Sequence, residues 1–317
     1  SGLIRILGTH KFSLKKVGVA LLTFAVLGGG FLTYRIVTNQ RQAEVITIAG
    51  KLGSEPEILI NMYRDLIEAE NPQVQVQLKP NFGGTTFLYQ ALKNKQIDLY
   101  PEFTGTVLQA LVKVDTPADH DPQETYQLAQ KQLQQQDQLT YLQPMAYQNG
   151  YDLAVTKEFA DKYQVTKISD LPRVAGQVKA AFDHDFYQQP DGYQGLQQAY
   201  GLDLPQIQTV ESSLRYKAIA SGKVNLVDGY TTDPEVAKYH LVVLEDDLKF
   251  FPPYQGAPLM RTDFAKDHPE VVQSLNKLAG KITTAQMQKM NYQVTFGHQS
   301  AAKVAHNFLL QQGLLKK

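Results

Sequence analysis

Tyrosine is the residue type with the most chemical promise in this sequence, which has 17 tyrosines and neither cysteine nor tryptophan. Several aromatic residues lie where a predicted strand gives way to a loop, an edge that lines the cleft of a two-lobed α/β protein. The candidates are Phe103 in PEFTGT, Tyr151 in QNGYDLAV, Tyr193 in PDGYQG, Tyr216 in SLRYKA and Tyr230 in DGYTTD. Aromatic faces attract a quaternary ammonium, which has no N–H to donate. Taken singly, each ring is more often a packing residue, and only their joint placement favours a binding cage.

Other chemistry is poorly represented. The seven histidines form no pair at helical ligand spacing, so neither a helical metal site nor a cofactor is predicted. Nucleophile-elbow, P-loop and dinucleotide-binding motifs are absent, and 31 basic residues balance 31 acidic ones, which argues against nucleic acid as a partner. An enzyme using Asp228, Glu102 or His184 as acid–base groups is the alternative from another class. We therefore predict a binding protein with no catalytic residues.

The N-terminal segment differs from the rest of the chain. Residues 1–41 hold six basic side chains and no acidic one, so the remainder carries a net charge of −6. Residues 17–34 carry no charge and would span roughly 27 Å as a helix, which predicts a membrane helix over 17–37 and a linker over 38–44. Lysines before this stretch predict that residues 1–16 are cytoplasmic and that the body lies outside. A buried core helix or a cleaved signal peptide is the alternative.

The body alternates predicted strands and helices, which indicates an α/β fold with largely parallel sheets. Strands are predicted at residues 45–49 and 74–79, and a helix at 57–70 has Ser54 as its N-cap and Glu57 as its capping-box partner. The proline-rich stretch at 250–260 interrupts the pattern, and mostly helices follow, including one over 263–283.

Six segments carry a resemblance to a known family: KLGSEPEILINMY, KPNFGGTTFLYQAL, IDLYPEFTGT, the DGY within residues 190–194, DGYTTD and FFPPYQGAPL. Together they resemble the substrate-binding proteins of osmoprotectant ABC importers, which bind glycine betaine, choline or carnitine. The resemblance covers residues 45–315 in order. It implies the two-lobed type II periplasmic-binding-protein fold, with residues 45–153 and 250–317 in one lobe and 154–249 in the other. The chain would cross between lobes near 151–155 and near FFPPY.

The resemblance also implies a binding site. The aromatic cage of the family falls on Phe103, Tyr151, Tyr193 and Tyr230, with Phe103 standing where tyrosine is commoner. Asn149, Thr104 and Tyr216 join the candidate ligand-binding residues. Whether Tyr193 or Tyr216 faces the cleft is left open.

Three polar residues depart from the family pattern. Arg215 would supply a guanidinium fork for a ligand carboxylate, and a surface arginine is its alternative. Glu102 and Asp228 would accept hydrogen bonds from ligand N–H groups. A trimethylammonium, a carboxylate and a ring N–H coexist in ergothioneine, and the segments around residues 50–63 and 80–93 look closer to ergothioneine importers, whose binding domain is fused behind the permease.

The expected function is therefore the extracytoplasmic binding domain of an ABC importer, with ergothioneine as the preferred ligand and ordinary betaines second. Its expected partners are the permease, the ATPase subunit and, through residues 17–34, the cell membrane of a Gram-positive bacterium. A membrane-anchored sensor is a third possibility.

Overall fold

Two five-stranded sheets organise the computed structural model of this chain, which describes residues 43–316. The first sheet has the order β2-β1-β3-β10-β4, with β1 Glu44–Ala49, β2 Val74–Lys79, β3 Leu99–Phe103, β4 Leu139–Tyr141 and β10 Gly256–Arg261. The second has the order β7-β6-β8-β5-β9, with β5 Tyr151–Val155, β6 Ala180–Asp183, β7 Ile207–Val210, β8 Leu226–Tyr230 and β9 Val242–Val243.

The sheets are mixed, so the expectation of largely parallel sheets is wrong. β1 and β3 run parallel, as do β6 and its neighbours β7 and β8. β10 is antiparallel to β3, with Gly256 opposite Phe103, and β5 is antiparallel to β8, with Tyr151 opposite Tyr230. Both strands begin opposite the carboxyl end of their partner. A strand that enters a sheet from that edge must run against it.

Twelve α-helices of five residues or more surround the sheets within residues 43–316. They are α1 Ser54–Glu70, α2 Thr85–Lys93, α3 Pro122–Asp137, α4 Lys157–Tyr163, α5 His184–Gln188, α6 Tyr193–Tyr200, α7 Ser212–Ala220, α8 Pro234–Lys238, α9 Thr262–Asp267, α10 Pro269–Leu275, α11 Thr284–Thr295 and α12 Ala301–Gln311. The long helix predicted over 263–283 is instead α9, α10 and a 3₁₀ turn at Asn276–Leu278. Pro269 explains the first break, because proline lacks the N–H that would continue α9.

Helix α1 has the apolar stripe that the sequence predicted, and Ile58, Leu59 and Met62 are fully buried. Its N-terminal cap was predicted incorrectly. Gly53 is the N-cap, with no side-chain cap hydrogen bond, and Ser54 is already helical. The Ser54 hydroxyl donates instead to Asn291 Oδ1 at 2.9 Å. The first turn of α1 lies beside the cleft described below, and no side chain caps its backbone N–H groups.

Each sheet has its own hydrophobic core, and this divides the described residues into two lobes. We call residues 44–147 and 256–316 the first lobe and residues 151–251 the second lobe. The crossover segments, residues 148–150 and 252–255, run side by side, with Gln148 paired antiparallel to Gln255. Asn149 N–H donates to the Tyr254 carbonyl at 2.8 Å, and Tyr254 N–H donates to Gln148 Oε1 at 2.7 Å.

The predicted membrane helix at 17–37, with the cytoplasmic segment 1–16 and most of the linker, lies outside the described residues. Between residues 43 and 316, no helix combines the length and the apolar character that crossing a bilayer requires.

Candidate functional site

A cleft of about 650 Å³ lies between the lobes. The loop after β1 and the start of α1 form one wall, and the end of β3 continues it. Crossover residues Asn149 and Tyr254 line its floor, and the second lobe contributes Tyr151, Asp191 and Tyr230. Both strands whose carboxyl ends meet here, β3 and β8, end at an aromatic residue on this cleft.

Four aromatic rings line the cleft: Phe103, Tyr151, Tyr230 and Tyr254. Tyr151 and Tyr230 face each other across the β5–β8 pair, with ring centroids 5.2 Å apart and planes 19° from parallel. Tyr230 is 41% exposed. The structure thus brings three of the four residues predicted for an aromatic cage to one cavity.

Tyr254 was missed by the sequence analysis, although it lies in the quoted segment FFPPYQGAPL. Its ring passes so close to Gly105 that a Cβ there would lie 2.5 Å from a ring carbon, so only glycine fits. Its hydroxyl donates to Gln109 Oε1 at 2.9 Å. Burial, with Asp191 nearby, raises the pKa of Tyr254 to about 12. Its position inside a segment predicted to cross between the lobes could have indicated that this tyrosine lies on the cleft.

Tyr193 and Tyr216 do not line the cleft, contrary to the prediction. Tyr193 is 2% exposed, and its hydroxyl donates to the Leu202 carbonyl and accepts the Leu204 N–H. Tyr216 is buried, and its hydroxyl donates to Asp233 Oδ2 at 2.6 Å. Both rings are held inside the second lobe because α6 and α7 turn these faces toward its core.

Arg215 is also absent from the residues that line the cleft, and it does not lie on the surface. The residue is 6% exposed. Its guanidinium nitrogens lie 3.6 Å from Asp228 Oδ2 and 3.6 Å from Asp233 Oδ2, and its Cζ lies 6.0 Å from the Tyr230 ring centre. Arg215 therefore neutralises carboxylates behind the aromatic wall.

The acidic residues around Arg215 are the buried Asp152 and Asp228 and the partly exposed Asp233. Asp152 is 3% exposed, and neither carboxyl oxygen has a hydrogen-bond partner among the described residues. Burial, with Asp233 and Asp228 nearby, raises the pKa of Asp152 well above its usual range. Burial also raises the pKa of Asp228 to about 6, although Arg215 opposes the shift. One arginine thus faces three carboxyl groups, which favours a proton on Asp152.

The remaining predicted polar residues divide between the wall and its support. Asn149 lines the cleft. Glu102 is fully buried, and one carboxyl oxygen lies 2.5 Å from Lys51 Nζ. Thr104 is also buried. Its hydroxyl donates to the Pro253 carbonyl at 3.2 Å and accepts the Gln255 N–H at 3.0 Å, so it anchors a crossover segment.

Four charged residues on the cleft were not predicted: Lys51, Glu55, Asp191 and Asp233. Lys51 is the one lysine or arginine lining it within residues 43–316. Glu55 is 6% exposed and accepts a hydrogen bond from Asn149 Nδ2 at 2.5 Å. Lys51 and Glu55 lie in the segment KLGSEPEILINMY, where Glu55 looked like an ordinary acid in a helical first turn. Among residues 43–316, no group of three or more potential metal ligands comes together.

Comparison with known families identifies the chain's relatives. Residues 44–311 match the family described as the substrate binding domain of the ABC-type glycine betaine transport system. The chain belongs to this family. Its members bind solutes and do not catalyse reactions on them, so the enzyme alternative falls. The two-lobed periplasmic-binding-protein fold of this substrate-binding domain is the one that the resemblance implied.

Relatives of this substrate-binding domain are described as binding different solutes. The carnitine transport binding protein OpuCC of Listeria monocytogenes is 30% identical over 84% of this chain and 86% of its own length. The ergothioneine transport permease/ergothioneine binding protein EgtU of Helicobacter pylori is 31% identical over 93% of this chain. This chain spans about half of EgtU, at 52%. The expectation of a Gram-positive cell stays a prediction, because the relatives come from bacteria with different cell envelopes.

Solved structures agree with the fold of this substrate-binding domain. A crystal structure described as a glycine betaine/carnitine/choline ABC transporter is 30% identical, with a TM-score of 0.81 over 86% of this chain and all of that one. Apo YehZ from Escherichia coli is 26% identical, with a TM-score of 0.77, and the match again covers 86% of this chain and all of the other.

Proposed function

We propose that this domain captures a betaine-type solute for an ABC importer, and that the solute is ergothioneine. The observation that carries the proposal is the set of four rings, Phe103, Tyr151, Tyr230 and Tyr254, on one cleft. A trimethylammonium group cannot be held by hydrogen bonds, and ring faces attract it at about 0.5–2 kcal/mol each. Three or four such faces supply enough free energy for micromolar binding.

Acidic groups on the cleft favour a cation further. Asp191 lies close enough to Tyr151 and Tyr254 to raise the pKa of both, after the larger effect of burial. Asp233 lines the cleft next to Tyr230 and accepts its N–H at 3.1 Å. These carboxylates complement the positive charge that the rings surround.

A ligand carboxylate needs a different partner, and Lys51 takes the role first given to Arg215. The Lys51 ammonium is 19% exposed and paired with buried Glu102, so it is held in place beside the cleft. The uncapped first turn of α1 adds backbone N–H donors at the positive end of a 17-residue helix. Together they would form an anion-binding corner on the first-lobe wall of the cleft.

Ergothioneine is preferred because the cleft also offers acceptors for a ring N–H. Asp191 and Asn149 line it and carry side-chain oxygens. The similarity to EgtU supports this choice. Because the similarity covers 93% of this chain, it must include part of the first 42 residues. Carnitine, glycine betaine and choline are the second candidates, supported by the similarity to OpuCC.

Calorimetric titration of the full 317-residue chain tests the ligand. Ergothioneine, carnitine, glycine betaine, proline betaine and choline would be added in turn at pH 7. Tight and selective binding of ergothioneine supports the proposal. Stronger binding of carnitine or glycine betaine would change the proposed ligand but leave the proposed aromatic cage standing. If none of the five compounds bound, a betaine-type function would be rejected.

Lys51→Met is expected to weaken ergothioneine and glycine betaine by about tenfold or more, because a hydrogen bond to a charged group contributes roughly 1.5–3 kcal/mol. Choline has no carboxylate and serves as the internal control. Its affinity should stay within about twofold of wild type, since the lost cation makes no contact with it. Equal losses for all three ligands would remove Lys51 from the carboxylate site.

Closure of the two lobes over the solute is the proposed mechanism, and the closed form is what the permease would recognise. Anchoring by residues 17–34 would keep the domain near the permease at roughly millimolar local concentration. Small-angle scattering is expected to show compaction when the chosen betaine saturates the domain. An unchanged scattering profile at saturation argues against closure.

A further inference from the structure

Glu55 occupies an unusual place between the lobes. It is the second residue of α1, it lines the cleft, and its carboxyl group is buried. Oε2 accepts one hydrogen bond from Asn149 Nδ2 at 2.5 Å and another from Thr232 Oγ1 at 3.4 Å. One carboxyl group therefore joins the first lobe to a crossover segment and to the second lobe.

The neighbouring contacts between the lobes are made by neutral groups. Asn291 Nδ2 donates to the Thr232 carbonyl at 3.0 Å, and Gln288 Nε2 donates to the Thr231 carbonyl at 2.6 Å. Both donors lie on α11 of the first lobe, which packs against α8 of the second. Two other contacts between the lobes involve ionisable side chains: His120 Nδ1 lies 2.7 Å from the Lys249 carbonyl oxygen, and Lys238 Nζ lies 3.9 Å from the Phe296 ring centre. Glu55 is the carboxylic acid among these described contacts, so its proton can change how strongly the lobes hold together.

The surroundings of Glu55 favour its protonated form. Oε1 is buried, and the Tyr147 hydroxyl that faces it can accept from a protonated Oε1 or donate to an ionised one, so this pair does not select either form. Burial does, because Glu55 is 6% exposed and no described lysine or arginine pairs with it, whereas Lys51 pairs with Glu102. An ionised carboxylate that is buried without a cation costs free energy.

We infer that Glu55 is a positioning residue whose protonated carboxyl group holds the lobes together, so that solute capture is linked to proton uptake. The part concerning solute rests on the proposed function, whereas the part concerning closure does not. Nothing in this inference requires Glu55 to touch the ligand.

The electrostatic surroundings agree with this role. Burial raises the pKa of Glu55 to about 7, and Asp233 at the start of α8 raises it further. The polar groups of Tyr147, Thr232 and Asn149 around the carboxyl group act in the opposite direction. Lys51 and Asp191 are the other charged side chains on the cleft. If the second lobe moves away, Thr232 and Asp233 leave and water reaches the carboxyl group, so its pKa falls toward the ordinary value.

The sign of the pH dependence follows from this difference. A carboxyl group with the higher pKa in the closed state stabilises that state fully below its open-state pKa, and this contribution is lost as the pH rises through about 7. Affinity for a betaine-type ligand should therefore be about tenfold weaker at pH 8 than at pH 6. Glu55→Gln stays neutral at both values and should bind with the same affinity at each.

The full chain would be titrated with the betaine that binds wild type best, from pH 5.5 to 8.5. Glu57→Gln is the matched control, because Glu57 lies in the same helical turn and is absent from the cleft wall. It should keep the wild-type profile. A Glu55→Gln profile as steep as that of wild type would overturn the inference and leave the proposed function standing.

Closure can also be followed without any ligand, because the chain has no cysteine. Lys131→Cys in the first lobe and Lys223→Cys in the second are both exposed and would carry a fluorophore pair for energy transfer. The transfer efficiency should change with a midpoint near pH 7 in the otherwise wild-type chain and stay constant with Glu55→Gln. Thr232→Val removes a donor to the ionised carboxylate and should move the midpoint to higher pH. A midpoint unaffected by either substitution rejects the coupling, even if no betaine binds.

Discussion

Arg215→Ala is expected to lower the free energy of unfolding by about 3–5 kcal/mol, because it removes the guanidinium that faces two buried carboxyl groups and the partly exposed Asp233. Asp228 and Asp233 each lie 3.6 Å from the guanidinium, and Asp152 is buried beside them with no hydrogen-bond partner among the described residues. Without Arg215, these groups must bind protons or repel one another. Chemical denaturation followed by far-ultraviolet circular dichroism at pH 7 measures the effect.

The control for this substitution is Arg64→Ala. Arg64 is 28% exposed and pairs with its neighbour Asp65, and a surface pair of this kind contributes at most about 1 kcal/mol. The loss caused by Arg215→Ala should be smaller at pH 5 than at pH 7, because the pKa of Asp228 is already raised to about 6 and protonation relieves the repulsion. Unchanged stability together with weaker binding of carboxylate ligands would return Arg215 to the ligand site.

Tyr230→Leu is expected to weaken a trimethylammonium ligand by about 10–30-fold, because it replaces an exposed ring face by an aliphatic side chain that has no quadrupole. Tyr230 is 41% exposed on the cleft, so its removal leaves the core of the second lobe intact. Tyr230→Phe keeps the ring and should bind within about threefold of wild type. Calorimetric titration with choline and with the best-binding betaine gives both ratios.

A neutral isostere separates the cation–ring attraction from simple contact. 3,3-Dimethylbutanol has the shape of choline without its charge, and Tyr230→Leu should reduce the preference for choline over this alcohol. Tyr292→Leu is the protein control, because Tyr292 is 38% exposed on α11 and away from the cleft wall. A Tyr230→Leu variant that still prefers choline as strongly as wild type does would exclude this ring from the cage.

Much of the secondary structure was predictable because it depends on local patterns. Apolar and polar residues alternate in VQVQLK, which predicts a strand, and apolar residues recur at helical spacing in α1. Each pattern puts the apolar side chains of the element on one buried face. β10 was missed because its Gly256 and Pro258 resemble loop residues. Pro258 lies directly opposite Pro101 of β3, so neither strand offers an N–H at that position. A central strand can hold a proline under this arrangement, and no local pattern reveals which strand will be its neighbour.

The residues that line the cleft divide in the same way. Phe103, Tyr151 and Tyr230 could be placed at the cleft in advance because the type of residue and its place at a strand end are properties of the sequence. The burial of Tyr193 and Arg215 could not be predicted, since it depends on which helix faces turn inward. Glu55 meets Asn149 from 94 residues away. Its altered proton affinity arises from desolvation by parts of the chain that come together only when both lobes have folded and met.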